Sequence, residues 1–407
     1  MTHWKHVGLL IALGIGLVAC GGDGSADVDD AATPADGGNV GDDAAVSADG
    51  GHDGSTPPPI DAGPPPNCEP LDGEPAWIIL DPGLDGLESP ATDAPLSRFD
   101  GLAGVAYGAG RFVAIGYGVA TQEIRWATSE DGETWTEHEL ENDVDDTEIS
   151  TSSKVKFLGE RFVFFAYHSN NPFSSTNGGY FVYSSVDGLS WTHARIDPNG
   201  LTVDEFDWSG SRLVTGGRNG DTRTSTDLVT WAAEPAKEGN GFAYKDVAYG
   251  NGRWVTTTNG AGEVFGSSDG VEWTLLENIG TAGGYTVEYG NGIWIAQGSP
   301  YRTSTDGISF DEVTPTGSTP GTAARFAGGR FLSYVQAYWE PGVPAHFRAS
   351  TDGVAWTDFG TVPEIGAGGV FGDIAYGRCR YVAAGQYVKD GTRQPLIAVA
   401  AAHSSTP

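Results

Sequence analysis

Lys245-Asp246-Val247-Ala248-Tyr249-Gly250-Asn251-Gly252-Arg253-Trp254-Val255, followed after a Gly-rich link by Val264-Phe265-Gly266-Ser267-Ser268-Asp269-Gly270-Val271-Glu272-Trp273-Thr274, decides the fold. Val247 and Tyr249 alternate with small or polar residues, and Gly250-Asn251-Gly252 turns the chain. Trp254 and Val255 start a second run, Val264 and Phe265 a third, and Trp273 opens a fourth. Short alternating runs separated by turn residues predict four antiparallel strands in one small sheet.

The closing box, Ser-x-Asp with an aromatic four residues after the Asp, recurs with Asp131, Asp187, Asp227, Asp269, Asp306 and Asp352. Its aromatics are Trp135, Trp191, Trp231, Trp273, Phe310 and Trp356, and Gly is expected to follow the Asp. The spacing is on the order of 40 residues, the period of propeller blades. The opening hairpin recurs seven times, with inner-strand aromatics Tyr107, Phe157, Trp208, Tyr249, Tyr289, Phe326 and Tyr376. Seven hairpins against six boxes leave the last unit one strand short. Trp77-Ile78-Ile79-Leu80 begins with Trp, as the fourth strands do, and can supply the missing strand. Closure in this way removes the free sheet edges. The fold expected is therefore all-β, a seven-bladed β-propeller of four-stranded antiparallel blades, the last blade closed by the N-terminal strand.

The boxes resemble the Asp-box, or BNR repeat, of sialidase-like propellers over about residues 77–400. The order here is a variant, with Gly directly after the Asp and Thr after the Trp, so sialidase chemistry does not follow from the box. Such chemistry needs an Arg cluster on inner strands, and here only the sixth inner strand carries Arg, Arg325. Within each box the Asp carboxylate and Ser hydroxyl are suited to holding turn N–H groups, and the aromatic to filling the gap between sheets. Six equivalent aspartates spread around a rim cannot converge on one ligand, so their expected role is structural.

Outside the repeats, residues 1–19 read as an export signal: a basic start, an uncharged apolar stretch and Leu17-Val18-Ala19 before Cys20. Leu-x-Ala-Cys resembles the bacterial lipobox, which implies cleavage before Cys20 and lipidation of its thiol. Gly21 in place of Asp implies, by the same resemblance, the outer membrane, on its periplasmic or cell-surface side. Residues 20–67 then form an acidic Asp/Gly/Pro-rich tether without Lys or Arg, too polar to bury a core. The propeller is assigned to 68–402 and a tail to 403–407. Cys379 falls in the first hairpin turn of the seventh unit, on the face where the closing strand begins, and Cys68 shortly precedes that strand. A disulfide between Cys68 and Cys379 is expected, as export permits.

A net charge of −32 argues against nucleic acid or an anionic membrane as partner; membrane contact is expected only through the lipid anchor. His and Cys show no metal-ligand spacing, and no metal or cofactor is expected. The remaining variable feature is loop length. Second-to-third loops are short in units three to five, longer in units six, seven and two and intermediate in unit one, and these last four units are consecutive around the ring. These carry Tyr117; His168 and Phe173; Tyr338, Trp339 and Glu340; and Tyr387, Lys389 and Arg393, with unit seven's loop running from Gln386 to Gln394. Aromatics beside polar groups suit a recognition patch. The reading favours a monomeric, non-catalytic surface lipoprotein that binds a protein or glycan. The alternative is a glycoside hydrolase or polysaccharide lyase of sialidase-like type.

Overall fold

The computed structural model describes residues 74–80, 89–90, 101–118, 123–139, 148–151, 153–169, 179–197, 203, 205–217, 222–234, 244–258, 262–278, 282–321, 324–335, 345–362, 369–389 and 392–401. All lie in the compact unit Thr56–Pro407. They form seven sheets, antiparallel save for one short parallel pair, arranged as the blades of a β-propeller, with no helix among them.

Blade four has the expected strands Tyr244–Gly250, Arg253–Thr258, Glu263–Ser267 and Thr274–Asn278. Blades one, three and five repeat this order from Gly101–Gly108, Glu205–Trp208 and Ala282–Gly290 outward. In blade two the inner strand is split into Glu148–Thr151 and Lys156–Leu158, both paired with Arg161–Ser169. Ser153 fills the break: its hydroxyl accepts the Phe165 N–H at 2.7 Å, so the interrupted ladder keeps a polar partner. Blade six gains a fifth strand. Thr316–Gly317, from the link out of blade five, pairs in parallel with Ala355–Trp356. The same link holds Val313 N–H to the Tyr301 carbonyl, so one segment fastens two blades.

Blade seven comprises Val370–Gly377, Arg380–Lys389 and Thr392–Ala401, and its outer strand is Trp77–Leu80. The register runs Trp77 to Ala400, Ile78 to Val399, Ile79 to Ala398 and Leu80 to Ile397. The N-terminal strand thus closes the ring, as the count of hairpins and boxes required.

A single blade is apolar on both faces and needs a neighbour on each. Seven apolar clusters among the described residues fill the seven gaps. One aromatic from the start of an outer strand enters each: Trp135, Trp191, Trp231, Trp273, Phe310 and Trp356, with Trp77 between blades six and seven. Trp77 is 3 % exposed and its indole N–H donates to the Phe359 carbonyl at 2.9 Å, so the closing strand is anchored by its first side chain. Burying such a ring removes roughly 150–250 Å² from water, on the order of 4–6 kcal/mol before ordering costs.

The Ser-x-Asp turns have one geometry six times over. Oδ1 of each Asp accepts the N–H groups two and three residues on, at 2.7–2.9 Å. The Ser hydroxyl donates to the same oxygen at 2.9–3.1 Å. The residue after the Asp has positive φ and is Gly in five turns. In blade three it is Leu228, at φ 64°. An L-residue there costs about 1–2 kcal/mol. Leu228 offsets this by burying its side chain, 8 % exposed, in the gap against blade two.

Two outcomes follow. Removing residues up to 85 strips blade seven of its outer strand and leaves Phe359 and Phe347 facing an empty gap; the unfolding midpoint should fall, and an unchanged midpoint would refute closure by Trp77–Leu80. Asp269→Ala strands two turn N–H groups and should cost about 1–3 kcal/mol in a denaturant titration.

Candidate functional site

Strand alternation aims every second inner-strand residue at the propeller axis. Aligned on the inner aromatics, the residue just before each is Ala106, Lys156, Asp207, Ala248, Glu288, Arg325 and Ala375. Two residues earlier stand Gly104, Lys154, Glu205, Asp246, Thr286 and Asp373. The inner strands of blades one, four, five and seven each carry a register shift just before this second tier. Bulges at such points re-aim a strand.

The two tiers build an axial cluster of three cations and five carboxylates. Arg325 is its hub. Its guanidinium meets Glu205 at 3.2 Å, Glu288 at 3.3 Å, Asp246 at 3.7 Å and Asp373 at 3.8 Å, residues of blades three, five, four and seven. Lys156 pairs with Glu205 at 3.3 Å, and Lys154 reaches Asp373 at 3.8 Å. All eight are shielded; the Asp246 side chain is 4 % exposed and that of Arg325 13 %.

The carboxylates have a second task. Asp207 accepts the Tyr249 N–H at 2.6 Å, Asp246 that of Val287 at 3.2 Å, Glu288 that of Phe326 at 3.2 Å, and Asp373 that of Val105 at 3.2 Å. Each bond runs from one blade's inner strand to the backbone of the next. From blade two to blade three the sign reverses, and Lys156 donates to the Phe206 carbonyl at 2.6 Å. The axial charges therefore stitch neighbouring blades together at the narrow end of the wedge, where there is no room for an apolar core.

Two more carboxylates than cations share this interior, and their titration shows it. Burial pushes Asp246 up to about 6 against the pull of Arg325. Burial also raises Asp207, Glu288 and Asp373. Glu205 goes the other way: burial works to raise it, but Lys156, Arg325 and Lys154 together hold it down at about 2. Burial lowers Lys154, whereas the carboxylates around Lys156 and Arg325 overcome burial and raise both.

The surface anticipated from loop lengths meets the structure only in part. Phe173, Tyr338, Trp339 and Glu340 lie outside the described residues, as do Cys20 and Cys68. Tyr117, Lys389 and Arg393 fall on strands, but their side chains are not described. His168 does not belong to an exposed patch. It is 1 % exposed, its Nε2 lies 2.7 Å from the Tyr183 hydroxyl, and burial lowers its pKa to about 4, so it is a neutral interior residue of blade two. Tyr387 is half-buried against the apolar gap between blades six and seven. The segment Gln386–Gln394 is no free loop: Gln386 to Lys389 pair with Pro395 to Thr392, an extended hairpin. Cys379 is disulfide-bonded. The axial cluster escaped the sequence reading, although Lys156, Asp207, Glu288 and Arg325 stand at one fixed offset from the aromatics that defined the repeat.

Neither a protein-family model nor the sequence of a curated protein matches the chain. Solved structures do. YCF48 bound to a D1 peptide is 13% identical with a TM-score of 0.52, covering 82% of this chain and 99% of its own. Virginiamycin B lyase from Staphylococcus aureus with quinupristin is 11% identical with a TM-score of 0.50, covering 77% and 99%. Trypanosoma rangeli sialidase with the inhibitor DANA is 13% identical at a TM-score of 0.45; 73% of this chain matches 54% of that one, so the chain spans about half the sialidase's length. At such identities the likeness is one of fold.

The opposed shifts at the axis fix the pH dependence of stability. Asp246, raised from 3.8 to about 6, stabilises fully below about 4, and that contribution is lost as pH rises through 6. Glu205 and the Ser-x-Asp carboxylates are lowered, so their contribution is present above the ordinary carboxylate range and is lost as pH falls toward 2. The melting temperature should peak between pH 4 and 6. Asp246→Asn should stabilise the fold by about 1–3 kcal/mol at pH 7.5 and far less at pH 4.5. A wild-type Tm that climbs steadily from pH 5 to 8 would contradict this assignment.

Proposed function

We propose that this chain is a monomeric, outer-membrane-anchored lipoprotein whose propeller is a non-catalytic module for binding a protein or a glycan. One observation carries the reading: the axial carboxylates, which in a hydrolase would act on substrate, are spent on holding the neighbouring blade's backbone N–H groups. Moving Asp207, Asp246, Glu288 or Asp373 to meet a substrate would break a contact between blades. The recognition surface is then the rim on the second-to-third-loop side, where Tyr338, Trp339 and Glu340 supply aromatic and polar groups of the kind binding hot spots use. YCF48, a propeller of like fold, is seen with a peptide bound, and this favours a protein ligand as one form of the proposal.

Anchoring rests on the sequence: the apolar stretch ending at Cys20 and the acidic tether after it. Lipidation at Cys20 places the propeller at the membrane without a spanning segment, and the charge of −32 keeps it off anionic lipid and nucleic acid. No cofactor is part of the reading.

A glycoside hydrolase is the second reading, and it has one specific support. Glu205 near 2 and Asp246 near 6, both ion-paired to Arg325, are two carboxyls whose environments drive their titrations apart, the arrangement of a base and an acid.

The two separate in one assay. The exported protein incubated with an array of glycans and outer-membrane proteins should retain ligand and release no product. Tyr338→Ala with Trp339→Ala should then weaken capture at least tenfold at an unchanged Tm. Product release that Glu205→Gln abolishes would establish the hydrolase instead.

A further inference from the structure

We infer that Lys154 is a covalent binding site: its amine condenses with small uncharged aldehydes that enter the axial channel of the propeller. Every other charged group at the axis makes a hydrogen bond. Asp207, Asp246, Glu288 and Asp373 hold backbone N–H groups, Lys156 holds the Phe206 carbonyl, and Arg325 donates to Glu205. Lys154 makes none among the described residues. Its Nζ has only a long contact, 3.8 Å to Oδ1 of Asp373. In a cluster whose members are otherwise fixed, this amine has no fixed partner.

The channel is shielded but not dry. The side chains of Lys156, Glu288 and Lys154 are 25 %, 22 % and 19 % exposed although they stand at the axis. Where water reaches, a solute of a few atoms can follow. Ala106, Ala248 and Ala375 end at Cβ and keep the axis uncrowded on their sides. Gly104 sets the position of the amine: a Cβ there would lie 2.9 Å from both Cα and Cβ of Lys154. Without one, blade two leans onto blade one, and Lys154 reaches past it to an acid of blade seven.

An amine attacks a carbonyl only in its neutral form, which is scarce for an ordinary lysine at neutral pH. Burial and the nearby charge of Arg325 lower the pKa of Lys154, against the pull of Asp373, Glu205 and Asp246. Lys156 goes the other way: burial works to lower it, but Glu205 and Asp207 overcome this and raise it. Two lysines two residues apart are thus one reactive and one inert. The Nζ lone pair bonds to the carbonyl carbon, and the carbonyl oxygen takes up a proton that the nitrogen gives up. The carbinolamine hydroxyl then leaves as water on a proton from Asp373 while the nitrogen closes the C=N bond, and the remaining N–H proton returns to Asp373. Amine and aldehyde are consumed, imine and water are formed, and no oxidant or reductant takes part. Burial raises Asp373, against the pull of Lys154 and Arg325, so it holds a proton more readily than a surface carboxyl does. Charge selects the ligand. The excess of carboxylates over cations at the axis repels an anionic aldehyde and admits a neutral hydroxyaldehyde.

The site is distinct from the rim surface proposed above, and its test does not depend on that surface. The full-length protein is incubated at neutral pH with glycolaldehyde and cyanoborohydride, which reduces the imine to a stable amine, and the adducts are mapped by peptide mass. Lys154 should carry the adduct on the order of tenfold more often than Lys156, the factor that one pKa unit of neutral amine supplies. Lys154→Arg keeps the charge beside Asp373 and forms no imine, so it should lose the axial adduct at an unchanged Tm. Glyoxylate, the anionic counterpart, should label Lys154 several-fold less than glycolaldehyde does. If Lys156 is labelled as often as Lys154, or if Lys154 stays unlabelled while other lysines react, the proposal falls. Equal labelling of Lys154 by both aldehydes would overturn the charge selection.

Discussion

A blade of this protein is a small sheet with two apolar faces and no means of covering either by itself. Everything else follows from the need to supply each face with a neighbour. The outer part of each gap is wide and is filled by one aromatic ring, from a Ser-x-Asp turn in six gaps and from Trp77 in the seventh. The inner part is narrow, and there side chains reach across to the next strand's backbone. Asp207, Asp246, Glu288 and Asp373 repeat the same bond in four gaps, with Lys156 providing its mirror image. Arg325 then gathers carboxylates from four blades, so the ring is braced across its centre as well as around its circumference.

This bracing has an electrostatic cost. Five carboxylates against three cations in a shielded interior leave negative charge that burial penalises, which is why Asp246 holds its proton to about pH 6. Buried ionic groups give less net stability than their short distances suggest, because desolvation offsets the attraction. Their contribution here is better seen as geometric: each charge has partners in only one relative setting of the blades, and that setting is the closed ring.

The scaffold was legible because its parts are local. A turn that satisfies two N–H groups with one carboxylate needs Asp at a fixed place and Ser two residues before it, so the pattern shows six times in the sequence. Closure was legible by counting, since Trp77 is the one unassigned Trp at the head of an apolar run. Leu228 was missed because burial against blade two can replace what glycine provides. The axial cluster was not legible in the same way. The positions just before the inner aromatics hold Lys, Asp, Glu and Arg once each and Ala three times, so no charged type repeats; what recurs is the offset from the inner aromatic, and the chemistry emerges only when the blades are set around one axis. His168 was misjudged because a polar residue near a long loop suggests solvent, whereas strand pairing with Gly179 turns its ring inward onto Tyr183.

The pairing of Trp77 with Ala400 has a consequence for how the molecule comes into being. Synthesised from its N-terminus, the chain presents the closing strand first and that strand's partner last. Six blades can be assembled while Trp77 still lacks its place, and an apolar quartet must wait through the synthesis of more than three hundred residues. Contacts so distant in sequence form late and slowly. The strand made first is the last to find its seat, and until then its apolar side chains have to be sheltered by something other than the fold.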